Sequence, residues 1–240
     1  MAIQTEFARL GVADGTSMRA YVARPEGQPK AGLIVLQEIF GINPHIRDLT
    51  ERFAREGYLA IAPELFHRTG EGFESGYTDM APGREHAQAT TDGGLSGDIH
   101  ATFNWLHTHT PGLKIAAIGY CMGGRVATLA AMTVPLACSI SYYGGGIASH
   151  PFYKVNLLDR LGEIQCPMLF CWGGRDHFIP PDAVHTVTSG MRAVNKPFAS
   201  IEFSDADHGF FCDARASYNP VAAAQAWPFT LAYLDNHTRV

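Results

Sequence analysis

This chain of 240 residues contains no run of basic residues, no apolar stretch of membrane-spanning length and no closely spaced pair of metal-ligating residues. The first absence, with a formal net charge of −5, argues against nucleic acid and against an anionic membrane surface as partners. The N-terminus, Met1-Ala2-Ile3-Gln4-Thr5-Glu6-Phe7, lacks the basic region and apolar run of an export signal, so a cytoplasmic location is expected. Its five cysteines, at 121, 138, 166, 171 and 212, are odd in number and irregular in spacing. That excludes a disulfide framework and reads as reduced thiols. Neither C-x-x-C nor H-E-x-x-H occurs, and His107 and His109 alternate on a terminal helical turn and so point apart. Accordingly, no metal and no cofactor is expected. No repeat, linker or low-complexity segment divides the chain, which reads as one domain over residues 1–240.

What is present is an ordinary globular composition, 46% hydrophobic and 17% charged, enough to bury one large core. Continuous apolar runs such as Leu33-Ile34-Val35-Leu36 and Tyr58-Leu59-Ala60-Ile61-Ala62 are the kind buried on both faces of a parallel sheet. Further strands are expected at 18–23, at 114–118 leading to Cys121, and at 136–143, 168–172 and 199–203. Helices are expected at 45–56, 95–107, 125–132, 181–194 and 221–234, with 64–83 a long loop or cap segment. Strands alternating with helices give an α/β class: a doubly wound, mostly parallel sheet with helices on both faces and active loops at the C-terminal strand ends.

The most informative stretch is Gly119-Tyr120-Cys121-Met122-Gly123-Gly124. It follows a predicted strand and precedes a predicted helix, the surroundings a nucleophile elbow demands. A thiol nucleophile needs a base and a third group to orient that base. Asp176, in Trp172-Gly173-Gly174-Arg175-Asp176, and His208, in Asp207-His208-Gly209-Phe210, each follow a later strand, in the chain order α/β hydrolases use. Asp205 and Asp207 are alternatives for the acid, but a sequence neighbour of the histidine is poorly placed to reach its far ring nitrogen. His177 competes for the base but adjoins the acid, and reads as a packing or solvent residue. An oxyanion needs two backbone N–H donors. Met122 supplies one and Ile39, in the loop Gln37-Glu38-Ile39-Phe40-Gly41, the other. Glu38, beside a thiol, can accept its proton or hold it neutral until substrate arrives, or can be an exposed loop charge.

The Q-E-I-F-G loop, the G-Y-C-M-G-G elbow, the W-G-G-R-D loop and the D-H-G-F segment together resemble the dienelactone hydrolase (carboxymethylenebutenolidase) family of the α/β-hydrolase fold. The resemblance implies a triad of Cys121, Asp176 and His208, oxyanion donors at Ile39 and Met122, and a conditional switch at Glu38. It also implies a small-molecule lactone or ester as partner, hydrolysed through an acyl-thioenzyme. Family members bind a substrate carboxylate with two arginines, one of them four residues after the histidine. Here that position is Cys212, leaving Arg215 and Arg84 as candidates. The expected assembly is a monomer or small homo-oligomer. A competing reading makes Cys121 an oxidisable or electrophile-binding thiol with Cys212 as its partner; another is a relative that kept the fold and lost turnover.

Overall fold

The computed structural model describes residues 2–148, 153 and 155–239. Its strands are β1 (Ile3–Gly11), β2 (Ser17–Pro25), β3 (Ala31–Leu36), β4 (Tyr58–Pro63), β5 (Ile115–Tyr120), β6 (Ser139–Tyr142), β7 (Met168–Gly173) and β8 (Phe198–Phe203). They form a single eight-stranded sheet in the order β1-β2-β4-β3-β5-β6-β7-β8. The pairings of β2 with β1 and with β4 are antiparallel and all others are parallel. Every residue of β3, β4, β5, β6 and β7 is buried. That is what continuous apolar runs do when helices cover both faces of a sheet.

The helices are α1 (Pro44–Arg55), α2 (Ala81–Ala89), α3 (Asp92–His109), α4 (Met122–Thr133), α5 (Pro181–Ala193) and α6 (Pro220–Thr238). In α1 the Asn43 side chain accepts from the Ile46 amide and Pro44 opens the first turn, the arrangement that satisfies an orphan donor and pre-sets the backbone. Its Ile46, Leu49 and Phe53 are fully buried, each side chain contributing roughly 1.5–3 kcal/mol by leaving water. Among the described residues, no helix is long and apolar enough to cross a membrane.

Three departures from the sequence reading have local causes. β1 was not anticipated, because it is an edge strand exposed over most of its length and is held by its antiparallel ladder with β2. The α2 helix lies partly within the segment expected to be loop; only Gly83 and Ala87 of it are buried, so it shows no apolar stripe. α3 begins at Asp92 rather than Leu95, because the Thr91 hydroxyl accepts from the Gly94 amide and starts the helix on polar residues.

Candidate active site

The elbow is built where β5 runs into α4. Cys121 sits at the bend with φ 55° and ψ −117°, a conformation that costs a side-chain-bearing residue roughly 1–3 kcal/mol and persists only where neighbours impose it. They do so from both sides: the Cys121 amide donates to Tyr142 O at 3.0 Å, and its carbonyl accepts from Gly124 N at 2.9 Å. A Cβ on Gly119 would collide with the carbonyl of Gly123, and one on Gly123 with the carbonyl of Leu36. The flanking glycines are therefore demanded by the backbone crossing itself.

His208 and Asp176 arrive from the ends of β8 and β7. Asp176 Oδ2 lies 2.7 Å from His208 Nδ1, while its Oδ1 accepts from the amides of Phe178 and Ile179. One carboxylate thus both turns its own loop and fixes the imidazole, with Nδ1–H as donor. His208 and Cys121 line the same cleft, and the Cys121 sulfur is among the groups that act electrostatically on the ring. Burial by itself would lower the His208 pKa, but the Cys121 sulfur and the Asp176 carboxylate outweigh it and raise the pKa to about 10. Asp207 instead accepts from the His208 backbone amide at 2.6 Å and stands 3.6 Å from the exposed His177. Asp205 accepts from Asn219.

Glu38 is the largest surprise of the loop after β3, since it is fully buried rather than an exposed charge. Its Oε1 accepts from Arg215 Nη1 at 3.1 Å, and its Oε2 has no hydrogen-bond partner. Arg215 reaches inward because a short turn, with its amide donating to Cys212 O, brings it back over Gly209. There its guanidinium fills the space a Cβ would need, and stands 5.6–5.7 Å from the ring centres of Tyr77 and Phe40. Cys212 itself turns away into the interior, beside Glu38 and His45.

Ile39 and Met122 line the same cleft as Cys121, His208, Arg84 and Arg215. Neither Ile39 nor Met122 donates its backbone amide to a described acceptor, and Met122 opens α4, whose first N–H groups have no partner within the helix. The cleft has a volume of about 660 Å³ counted to its open mouth. Arg84 enters it from α2, which packs close because a Cβ on Gly83 would collide with the Ile39 carbonyl. Among the described residues the Arg84 guanidinium has no carboxylate partner.

The sequence reading missed two residues that line this cleft, and one buried residue that supports it. Phe178 stands edge-on to His208, with ring centres 5.1 Å apart; its place two residues after Asp176 was the available signal. Tyr153 lines the cleft, its hydroxyl pKa pushed up by burial and by the Cys121 sulfur. Arg125, fully buried in α4, forks onto Asp92 at 2.9 and 3.0 Å, donates to Gly146 O and Val155 O, and lies 4.3 Å from the Tyr153 ring centre. Nothing in the sequence marks that partnership, because its members are more than 20 residues apart.

The sequence model described as the dienelactone hydrolase family matches residues 18–238. A Synechocystis protein named "Putative carboxymethylenebutenolidase" is 38% identical over 201 residues, covering 81% of each chain. The carboxymethylenebutenolidase of Pseudomonas putida is 29% identical over 222 residues, 89% of each chain. Among solved structures, "Putative Dienelactone Hydrolase" from Klebsiella pneumoniae superposes with a TM-score of 0.87 at 34% identity, over 97% of this chain and 98% of that one.

Proposed function

The chain belongs to the dienelactone hydrolase family, and on that premise we propose that it hydrolyses small esters or lactones through an acyl-thioenzyme formed on Cys121. The observation that carries this reading is the arrangement at the elbow: a cysteine at positive φ that shares its cleft with a histidine held by Asp176 at 2.7 Å. Once Cys121 has given up its proton, the His208 imidazolium, with its pKa raised to about 10, stabilises the thiolate, which is the nucleophilic form. The thiolate attacks the acyl carbon, and the carbonyl oxygen gathers charge against the amides of Ile39 and Met122. His208 then gives its proton to the departing alkoxide, leaving a thioester. In the second half the neutral imidazole takes a proton from water, the hydroxide attacks the thioester carbon, and the acid departs as the thiolate–imidazolium pair re-forms.

The buried Glu38–Arg215 pair supplies a condition on this chemistry. A substrate carboxylate entering the cleft competes with Glu38 for Arg215, with Arg84 as a second cationic contact. Glu38, freed from its partner, is then available as a proton acceptor beside the thiol. Residues 1–240 work as one domain in this reading, and a free catalytic thiol suits a reducing cytoplasm.

Turnover of a chromogenic ester panel, with and without a carboxylate beside the scissile bond, tests both halves. Cys121→Ala should abolish turnover, and rapid acid quench of the wild type should trap an acyl adduct on the Cys121 peptide. Undiminished turnover in Cys121→Ala overturns the assignment. Arg215→Ala should erase the preference for the carboxylate-bearing esters; an unchanged preference removes the anion condition.

A further inference from the structure

Beneath the cleft, three side chains that are far apart in sequence meet in the interior. One ligand atom each of Glu38, His45 and Cys212 lies within 4.8 Å of the other two, and all three residues are buried. The trio is unusual in how poorly its members are otherwise employed. Glu38 Oε2 and both ring nitrogens of His45 have no hydrogen-bond partner; the nearest opposite charge to His45 is Asp213, 3.9 Å from Nδ1. Buried polar atoms normally find partners, so orphaned ones on two members of a cluster this close call for an explanation.

We propose that this trio is a binding site for a soft divalent cation of the Zn²⁺ type, and that its occupation holds Glu38 away from the chemistry of the cleft. A thiolate, an imidazole and a carboxylate form a donor set that zinc accepts, with bonds of about 2.0–2.3 Å. The edges of such a tetrahedron are about 3.5 Å by those bond lengths, so the three groups need to close by roughly an ångström. Neither ring nitrogen of the buried His45 has a hydrogen-bond partner, which leaves a ring lone pair available for coordination. Burial and the Glu38 carboxylate push the Cys212 thiol up to about 11, so the metal has to displace a firmly held proton. On binding, the Cys212 S–H bond breaks, its proton passes to solvent, and the sulfur's electron pair forms the metal–sulfur bond. No electron is transferred. The unpartnered Glu38 Oε2 is the oxygen left to bind, so that Arg215 keeps its contact with Oε1 while the carboxylate becomes fixed.

Binding at the trio stands on geometry alone, whereas its effect on turnover rests on the role proposed above for Glu38. The experiment separates the two. In a Cys121→Ser background, which removes the catalytic thiol as a competing ligand, Co²⁺ should give a thiolate-to-cobalt absorption band and Zn²⁺ should bind at one equivalent per chain by calorimetry. Adding Cys212→Ser should abolish the band, and adding His45→Gln should weaken Zn²⁺ binding by more than the ~10–100-fold that loss of an outer-sphere partner costs. A Cys121→Ser protein with no cobalt band, or Zn²⁺ binding unchanged by Cys212→Ser, overturns the site. In the wild type, Zn²⁺ should suppress ester turnover, and Cys212→Ser should relieve that suppression. Stoichiometric Zn²⁺ with undisturbed turnover supports the site and overturns the role given to Glu38.

Discussion

At the scale of single residues, the proposed role of His208 is the one most open to measurement. Its imidazolium sits between a carboxylate and a sulfur, with a pKa raised to about 10 despite burial. Protonation therefore prevails at neutral pH, and the proton is lost only as pH rises through the raised value. We expect the kcat/KM profile to fall on its alkaline side near pH 10, and Asp176→Asn to move that limb downward, because one of the two charges holding the proton is gone. A rate that instead rises with deprotonation between pH 6 and 7 would contradict the ion pair. The residues of this centre were legible in sequence because backbone geometry writes them plainly: Gly119 and Gly123 are required by contact, and Asp176 and His208 follow strands. The placement of Glu38 and Cys212 was not, because the burial of a loop charge and the inward turn of a thiol depend on elements far away in sequence.

At the scale of elements, the least legible structure is the knot around Arg125. Helix α4 reads as an apolar continuation of the elbow, yet it buries a guanidinium that ties the first turn of α3 to the segment bearing Tyr153. Breaking such a pair from one side leaves a poorly solvated carboxylate, at a cost of about 3–5 kcal/mol when burial is complete. Arg125→Met should therefore lower the unfolding midpoint sharply, and the double variant with Asp92→Asn should recover part of the loss. KM should also rise as Tyr153 loses its support. An unchanged midpoint by thermal unfolding would show that the knot contributes nothing. The polar α2 was illegible for the opposite reason: its few buried residues leave no periodic signal, and it is held by closeness to the Ile39 loop rather than by an apolar face.

At the scale of the molecule, the buried apolar strands made the sheet's parallel portion readable, and what escaped was the exposed edge strand β1. A second long-range tie joins the start of β4 to the end of α6. There Asp235 Oδ1 accepts from Tyr58 Oη and from Lys30 Nζ, each at 2.7 Å. Burial tends to raise the Asp235 pKa, but the bonds from Lys30 and Tyr58 prevail and lower it. A carboxyl with a lowered folded-state pKa stabilises above its unfolded value of about 3.9, and that contribution is lost as pH falls through the folded value. Asp235→Asn should then cost about 1 kcal/mol at pH 7 for a partly exposed pair, with the gap to wild type closing below pH 4 in denaturant titrations. A gap independent of pH would assign the loss to packing instead.

The missing side chain at Gly83 has a kinetic meaning. Because α2 rests directly on the Ile39 carbonyl, the helix that carries Arg84 into the cleft leans on the loop whose Ile39 amide, in the proposed mechanism, would receive the reacting oxygen. On that mechanism, recognition and rate are mechanically geared together. Evolution or engineering that retunes α2 for a new substrate will shift kcat along with KM, and the two will resist separate optimisation.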